Sequence, residues 1–305
     1  MAYIMLGILA GIIMPVQTGI NTNLRRRFGS PFIAAEISFT VGFIFMVLVF
    51  LFQKDGSAAI SFRDLQGQPL WMWAGGVLGM IVLTGNILLL PKIGSVQTVV
   101  FPVFGLIISG LILDHFALFG AVHKPVTFVR AAGAFLAFAG VVLITAVKNR
   151  NTGKTAADNG VWLWRLFGIF VGMCSGTQIA VNSALAGLLG SSLKSAHFAF
   201  GFEMVVMGAY VLISRQKIRP ERTGRWPWWI WIGGILGVGY IVFTVRISSV
   251  LGTGFTAVLS LVGQMIAGIL IDQFGFLNMP KKPVKPLCVC GIIVMLVGAA
   301  LIKMT

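Results

Sequence analysis

The chain has 305 residues, of which 57% are hydrophobic and 10% are charged, and its formal net charge at pH 7 is +15. Soluble domains carry roughly 25% charged residues, so this composition excludes a soluble fold and indicates a protein whose solvent is lipid. The Lys and Arg residues lie mainly in short segments between apolar runs, which is typical of cytoplasmic loops and does not predict nucleic-acid binding.

Ten apolar runs are each about long enough to cross the hydrocarbon core of a bilayer. They cover residues 3–22, 31–52, 71–90, 95–114, 126–147, 162–186, 192–214, 227–248, 252–273 and 285–303. No basic region precedes the first run and no small-residue cleavage site follows it, so it predicts a retained span and not a cleaved signal peptide. The break at Pro91–Gly94 separates the third and fourth runs. The chain is therefore predicted to be an all-α integral membrane protein with ten transmembrane helices.

The sequence is duplicated. Residues 71–144 align with 229–302 without a gap at an offset of 158, and an earlier block aligns at an offset of 161. The matched pairs include Trp71/Trp229, Gly75/Gly233, Gly79/Gly237, Gly105/Gly263, Asp114/Asp272, Gly7/Gly168, Gln17/Gln178 and Asn21/Asn182. This pattern predicts one repeat over residues 1–150 and a second over 162–305, joined by a polar linker at 151–161.

The number of spans in each repeat determines how the two repeats are oriented. Five is odd, so the second repeat is expected to enter the membrane upside down relative to the first. Inverted repeats with a substrate site between them near the bilayer midplane are typical of secondary transporters.

The distribution of basic residues predicts the orientation of the chain. One set of loops and span ends carries 16 of the Lys and Arg residues and the other carries 7. Because the richer side faces the cytoplasm, both termini are expected to face outward. The chain is expected in the cytoplasmic (inner) membrane of a cell as a multi-pass protein.

Two pairs of amides lie inside the first and sixth spans. Gln17 and Asn21 are four residues apart, as are Gln178 and Asn182, so each pair lies on one helix face. Polar side chains at this depth must find a partner or line a cavity. Two interpretations stay open: the amides bind substrate, or they form hydrogen bonds that hold the helices together.

Glu203 lies about eleven residues into the seventh span, close to the predicted midplane, where an ionised carboxylate is costly. It is the strongest candidate for a proton- or cation-coupling site, although a purely structural hydrogen bond is the alternative. Glu36 and its counterpart His197 lie only about five residues inside their spans. They are candidates for a gate or rim, with a structural role as the alternative.

Gln264 in the ninth span and Tyr240 in the eighth are further candidates for substrate binding, and Gln97 and Asn86 are weaker ones. Asp114 and Asp272 occupy equivalent span ends, where a structural role is expected. The sequence carries no nucleotide-binding loop, nucleophile–base motif or metal-ligand spacing. No enzyme activity, cofactor or metal site is therefore predicted.

The segment GQMIAGILIDQFG at residues 263–275, with the later Pro283, Gly291 and Gly298, resembles the signature of the YdcZ-type domain family. That family, a domain of unknown function, belongs to the drug/metabolite transporter superfamily and is related to EamA-like transporters. The resemblance implies five-span units, here fused in antiparallel, and a transporter that is often an exporter. The first repeat departs from the signature at Leu106, where glutamine is expected, and at Ala117, where glycine is expected. A role for that glutamine therefore rests on Gln264 alone.

The favoured hypothesis is a secondary transporter that exports a small organic solute by alternating access, with possible coupling to protons. Its expected partners are a small-molecule substrate and the lipid bilayer, with no nucleic acid, and the protein is expected to be a monomer or a homodimer. Two alternatives stay open. A non-transporting membrane scaffold or subunit would have a sealed core with paired amides, and a flippase for a lipid-linked head group would open laterally to lipid.

Overall fold

The computed structural model describes residues 2–52, 67–121, 123–151, 159–218, 226–251, 253–279, 281 and 286–303. Within these ranges the chain forms ten α-helices and four short 3₁₀ turns, without any β-strand. The helices are α1 (Ala2–Phe28), α2 (Pro31–Phe52), α3 (Ala74–Ile93), α4 (Ser95–His115), α5 (Phe128–Asn151), α6 (Asn159–Leu189), α7 (Ser192–Ile213), α8 (Gly233–Leu251), α9 (Thr253–Phe274) and α10 (Pro286–Lys303). The turns are Leu70–Trp73, Leu118–Gly120, Trp228–Trp231 and Phe276–Asn278. The predicted all-α class is confirmed.

Six helical segments are long and apolar enough to cross a membrane: Ala2–Phe28, Pro31–Phe52, Leu70–Ile93, Ser95–His115, Gly160–Leu189 and Ser192–Ile213. Shorter apolar stretches of 10–17 residues lie in α5, α8, α9 and α10. A membrane protein with several spans is thus confirmed, and the count of ten spans stays a prediction. Most of the predicted linker (residues 152–158) and most of the long polar loop after α2 (residues 53–66) lie outside the described residues.

Two helix boundaries show how the local sequence controls the fold. The predicted break between the third and fourth spans is present, since α3 ends at Ile93 and α4 begins at Ser95. Gly94 between them has a φ of 80°, a conformation that glycine adopts without a steric penalty. By contrast, α1 continues to Phe28, six residues past its predicted apolar end. The Arg25–Arg27 run is helical, and the helix ends where Gly29, at a φ of 75°, donates its amide to the Arg25 carbonyl at 2.8 Å.

The second helices of the two repeats, α2 and α7, pack against each other in opposite directions. A Cβ at Gly208 would lie 3.4 Å from Glu36, and one at Gly201 would lie 3.0 Å from Phe43. Further along, the Phe50 ring meets the His197 ring with centroids 5.1 Å apart. Because rising residue numbers in α2 meet falling numbers in α7, the two helices are antiparallel.

The last helices of the two repeats, α5 and α10, are also antiparallel neighbours. A Cβ added at Gly133 would meet the Gly298 carbonyl, and one added at Gly140 would meet the Gly291 carbonyl. These glycines let the two backbones approach directly, which is how helices pack in lipid without a hydrophobic driving force.

The first helix of each repeat packs on the third and fourth helices of the other repeat: α1 contacts α8 and α9, and α6 contacts α3 and α4. The closest approaches are equivalent in sequence. A Cβ at Gly11 would collide with the Ser260 carbonyl, and one at the equivalent Gly172 would collide with the Pro102 carbonyl, which is equivalent to Ser260. The repeats therefore interlock through reciprocal contacts.

Two large apolar clusters form the core. One is built mainly from α2, α3, α7 and α8 and includes Phe39, Phe200 and Tyr240. The other is built mainly from α4, α5, α9 and α10 and includes Val99 and Val171. The polar cavities described next lie in and between these two clusters.

Candidate functional site

A narrow cavity of about 30 Å³, here called the central cavity, lies between helices of both repeats. Its lining residues are Met14, Gln17, Phe39, Gly79, Val82, Leu83, Gln178, Phe200, Glu203, Gly237, Tyr240 and Ile241. Ten of these twelve form five equivalent pairs, namely Gln17/Gln178, Phe39/Phe200, Gly79/Gly237, Val82/Tyr240 and Leu83/Ile241. The two repeats thus contribute nearly the same wall to this cavity.

Glu203 is the acidic residue of the central cavity, with a side chain that is only 1% exposed. Its Oε1 accepts a hydrogen bond of 3.0 Å from the Gln178 amide nitrogen. No basic side chain is among the described residues that line this cavity. The negative charge of a carboxylate in such a site can be neutralised by a bound proton or by a cation in the cavity. The hydrogen bond from the Gln178 side chain is compatible with both.

Glycines at equivalent positions bring both glutamines close to the backbone of the opposite repeat. A Cβ at Gly79 would overlap Glu203 Oε1 and Gln178 Nε2, and a Cβ at Gly237 would lie 2.5 Å from Gln17 Nε2. Side chains of any size at these two positions would displace the amides. Gln17, Gln178 and Glu203, which were predicted to lie inside spans, thus line one shared cavity.

Asn21 and Asn182 line neither of the two cavities described here. Asn21 donates to the Ser38 hydroxyl at 3.3 Å, and its Oδ1 faces Gly233. The equivalent Asn182 directs its Oδ1 at Gly75. Since both oxygens are buried without a conventional donor among the described residues, their contacts with the glycine Cα groups resemble weak Cα–H···O bonds. The geometry of these two amides fits helix packing better than substrate binding.

A second narrow cavity of about 30 Å³, here called the side cavity, extends from the central region toward the α3–α4 turn. Its walls are mostly apolar. Its polar lining residues are Thr18, Asn86, Ser95, Thr98, Ser175, Tyr240 and Gln264. No charged side chain is among the described residues that line it. This composition suits an uncharged or weakly polar part of a ligand, held by a few hydroxyls and amides.

Tyr240 stands between the two cavities and lines both of them, together with Met14 and Val82. It is 5% exposed, and its hydroxyl has no hydrogen-bond partner of good geometry among the described residues. Ser175, which also lines the side cavity, is the neighbouring hydroxyl. A buried phenol whose only neighbouring hydroxyl is poorly aligned is a donor that a bound molecule would satisfy.

Comparison with protein families identifies the chain. The model of the family described as "Putative inner membrane exporter, YdcZ" matches residues 2–143 and again residues 163–301. The chain belongs to the YdcZ family. It is accordingly a multi-pass inner-membrane protein of an exporter family, which is not an enzyme class, and the resemblance drawn from residues 263–275 is confirmed.

Structural comparison agrees at the level of the fold. One solved structure, titled "Crystal structure of protein", superimposes with a TM-score of 0.66 at 12% identity, covering 99% of this chain and 96% of that one. No curated protein matches the sequence.

Gln264, the glutamine of the segment that resembles the family signature, has a defined place in this chain. Gln264 lines the side cavity, and so does Leu106, its equivalent in the first repeat. Both residues are buried, at 6% and 4% exposure. The departure from the family pattern at Leu106 therefore makes one wall of the side cavity apolar and leaves the amide on the opposite repeat.

Glu36 and His197 are not brought together with the other candidates. Glu36 accepts a 3.1 Å hydrogen bond from Thr40 one turn along α2. The His197 ring stacks on Phe43, with centroids 4.9 Å apart, and lies edge-on to Phe50. Because α2 and α7 are antiparallel, the two residues lie toward opposite ends of this helix pair. Each is half-buried and neither lines the central or the side cavity.

Asp114 and Asp272 have structural partners near helix ends. Asp114 forms an ion pair of 2.8 Å with Arg130, whose guanidinium also donates to the Lys124 carbonyl at 2.7 Å. Asp272 accepts the Val96 amide at 3.2 Å, near the start of α4. This is a favourable place for a carboxylate because helix-start amides lack partners within their own helix. The position equivalent to Arg130 is Cys288, so the second repeat has no arginine at this place.

Sequence reasoning missed Ser95, Thr98 and Ser175 as cavity residues. Ser175 lies three residues before Gln178, on the same side of α6, and this spacing was a usable signal. Ser95 and Thr98 are hidden by their position at a helix start, where hydroxyls normally serve as caps. Gln97, a weaker candidate, is buried but lines neither cavity. Within the described ranges, no group of three metal-ligating side chains lies together.

Proposed function

We propose that this YdcZ-family protein exports a small organic solute by alternating access between two inverted five-helix repeats, with Glu203 as the proton-coupling carboxylate. The observation that carries the proposal is the position of Glu203. A carboxylate that is 1% exposed lies in a cavity walled by both repeats and contacts Gly79 of the repeat to which it does not belong.

Support for inversion comes from helix contacts. The α2/α7 and α5/α10 pairs join corresponding helices, and both pairs are antiparallel. The reciprocal contacts of α1 and α6 are what a two-fold relation between the repeats would produce. Movement of one repeat against the other would open the central cavity to either side in turn.

Coupling follows from the charge balance at Glu203. Substrate and proton would compete for the same carboxylate if the substrate or its polar group reaches the central cavity. Release of one would then accompany binding of the other. The side cavity would hold the less polar part of the solute, with Gln264 and Tyr240 as hydrogen-bonding groups.

The proposal can be tested with purified protein in two stages. A library of small solutes is first screened by thermal shift, since a ligand stabilises the folded state by about 2.7 kcal/mol at a hundred times its dissociation constant. Solutes that stabilise the protein are then applied to proteoliposomes on a solid-supported membrane. Wild-type protein is expected to give solute-dependent currents. Glu203→Gln, whose amide is uncharged like the protonated carboxyl, is expected to give no proton-coupled current.

A matched pair of variants on α6 separates cavity effects from general damage. Gln178 lines the central cavity, whereas the adjacent Thr177 bonds to the Met173 carbonyl of its own helix and lines neither cavity. Gln178→Ala is expected to impair transport, and Thr177→Ala is expected to leave it near wild type. Currents that are unchanged in Glu203→Gln would contradict the coupling role.

The two alternatives make different predictions. A scaffold without transport is expected to have a sealed core, whereas the described residues surround two narrow cavities that include polar lining groups. A head-group flippase would move fluorescent lipids between leaflets of the same proteoliposomes. Lipid scrambling that requires Glu203, in the absence of any transported solute, would favour that alternative.

A further inference from the structure

A third cavity, here called the α1–α9 groove, is open to the outside of the helix bundle. It has a volume of about 340 Å³ and is lined only by apolar residues. Ile12 and Val16 form the α1 side, Ile266 and Leu270 form the α9 side, and Phe276 and Leu277 close one end. Neither polar atoms nor titratable groups line it, so its occupant must be apolar along this length.

The groove faces the bilayer. Ile266, Leu270 and Phe276 are 42%, 41% and 54% exposed. Exposed apolar side chains on the outside of a membrane protein are expected to contact lipid. Along α9, the rise from Ile266 to Leu270, four residues further on, is about 6 Å, and the turn at Phe276 and Leu277 extends the groove further. A concave, elongated apolar surface of this kind fits a flexible hydrocarbon chain.

Two basic residues stand at the closed end of the groove. Arg26 is exposed and donates to the Asn278 carbonyl at 3.2 Å, next to the lining residue Leu277. Lys281 is exposed, and its Cγ would lie 2.7 Å from a Cβ on Gly275, next to the lining residue Phe276. Both side chains are thus held at the turn where the groove ends.

Among the described residues, the exposed charge around this end is positive. Of the acidic residues within the described ranges, Asp114, Asp272 and Glu203 are buried, and Glu36 is only half-exposed on the α2–α7 pair. An anionic group beside Arg26 and Lys281 would therefore meet cations and no exposed carboxylate of the described chain. An apolar channel that ends in two cations matches the chemistry of an anionic phospholipid.

We propose that the α1–α9 groove binds an acyl chain of an anionic bilayer phospholipid, with its head group held by Arg26 and Lys281. The site is distinct from the transport cavities, although it adjoins one of them. Ile271 lines both the groove and the side cavity, and Leu277 packs on Gly19 in the wall of the side cavity. A bound chain would therefore support the outer face of that wall.

The test is native mass spectrometry of the full chain released from detergent after incubation with phosphatidylglycerol or phosphatidylcholine of identical acyl chains. Wild-type protein is expected to retain one phosphatidylglycerol in preference to phosphatidylcholine. Each basic residue near an anionic lipid surface is worth roughly a fivefold change in affinity, so Arg26→Gln with Lys281→Gln should weaken retention about thirtyfold. The charge control is Arg215→Gln with Lys217→Gln, an exposed basic pair elsewhere on the chain, which should retain the lipid.

A groove-filling variant tests the acyl-chain part of the proposal. Leu270→Trp should abolish retention, whereas Ile44→Trp, at a residue that is 52% exposed on α2, should not. If Leu270→Trp fails to fold, wild-type protein is crosslinked with phosphatidylglycerol that carries a diazirine in its acyl chain. Crosslinks in the peptides around Ile12–Val16 and Ile266–Leu270 support the site. Equal retention of both lipids, or crosslinks spread evenly over the lipid-facing helices, would overturn it.

Discussion

At the residue scale, the contact between Gly79 and the Gln178–Glu203 pair leaves no room for a side chain at Gly79 in the wall of the central cavity. A methyl group at Gly79 would overlap Glu203 Oε1 and Gln178 Nε2, and both side chains are too buried to move into solvent. Gly79→Ala should break the hydrogen bond between the Gln178 amide and the Glu203 carboxyl and abolish transport. It should also lower the free energy of unfolding by roughly 1–3 kcal/mol, as overpacking does. The measurements are thermal unfolding in detergent and transport in proteoliposomes.

Gly110→Ala is the matched control for this prediction. Gly110 is also a buried helical glycine, on α4, but a Cβ there would meet no atom within 4 Å. That variant should keep both its stability and its transport. Wild-type transport by Gly79→Ala would show that the Gln178–Glu203 geometry is not needed for function.

The turn after α4 offers a second residue-scale prediction, this time of increased stability. Ala117 has a φ of 50°, and the equivalent residue after α9 is Gly275, at 69°. The left-handed conformation costs an L-residue about 1–2 kcal/mol, and glycine avoids that cost. Ala117→Gly should therefore raise the thermal unfolding temperature of the purified protein.

The reciprocal change, Gly275→Ala, should lower that temperature. A Cβ at Gly275 would add a close contact with the Lys281 side chain to the backbone strain. If Gly275→Ala instead unfolds at a higher temperature than Ala117→Gly, backbone strain at these two turns does not control stability.

Sequence reasoning predicted several residues that share a cavity, but not their contacts. Gln17, Gln178, Glu203 and Tyr240 were expected inside spans, with Glu203 close to the midplane, and the structure places all four around one cavity. Asn21 was expected beside Gln17 because the two share a helix face, and they do share one. Yet four residues of helix rise carry Asn21 about 6 Å along α1, where it meets Gly233 and not a cavity. Helical periodicity gives the face of a residue, but the position of a cavity along that face depends on the other helices.

At the element scale, the α5–α10 pair depends on close backbone contact. Gly298 faces the Gly133 carbonyl, and a Cβ at Gly298 would lie 2.5 Å from the Ala137 amide nitrogen. Gly298→Leu should force the helices apart and destabilise the protein by roughly 1–3 kcal/mol, measured by thermal unfolding in detergent. Val297→Leu adds bulk at the preceding residue, which is 49% exposed, and should change the unfolding temperature little. Equal effects of the two variants would contradict a packing role for Gly298.

Helix existence was predictable at this scale, whereas helix ends were not. Apolar run length predicted the α3–α4 split because Gly94 interrupts the chain at a backbone angle that favours glycine. The same criterion predicted that α1 ends at residue 22, because apolar run length indicates which residues cross the hydrocarbon core and not where the helix stops. The helix continues through Arg25–Arg27, where the Arg25 guanidinium donates to the Ile87 carbonyl of α3 at 3.1 Å.

At the scale of the whole molecule, the symmetric scaffold carries asymmetric chemistry. The position equivalent to Glu203 is Gly42, where a Cβ would collide with the Phe200 ring and would lie 3.1 Å from the Gly234 carbonyl. The first repeat therefore has no room for a second carboxylate at that place. The duplication could be predicted from the sequence. The reciprocal contacts of α1 with the second repeat and of α6 with the first could not, because aligned glycines do not reveal which helix they face.

Inversion of the repeats makes a direct topological prediction. Arg26 near the end of α1 and Gly187 near the end of α6 are equivalent positions, and both are exposed. In a background with Cys174, Cys288 and Cys290 replaced by Ser, Arg26→Cys and Gly187→Cys should lie on opposite sides of the membrane. The basic-residue bias places Arg26 in the cytoplasm. A membrane-impermeant maleimide added to spheroplasts should therefore label Gly187→Cys at once and Arg26→Cys only after permeabilisation.

A reporter fused after Thr305 provides an independent check, because ten spans with outward termini should leave alkaline phosphatase active and GFP dark at that end. The two experiments fail in different ways. If both cysteines are labelled from the same side, the repeats are parallel, and a rocking motion about a two-fold axis in the membrane plane is ruled out. If they are labelled from opposite sides in the reverse order, inversion holds and only the orientation assigned from the Lys and Arg residues is wrong.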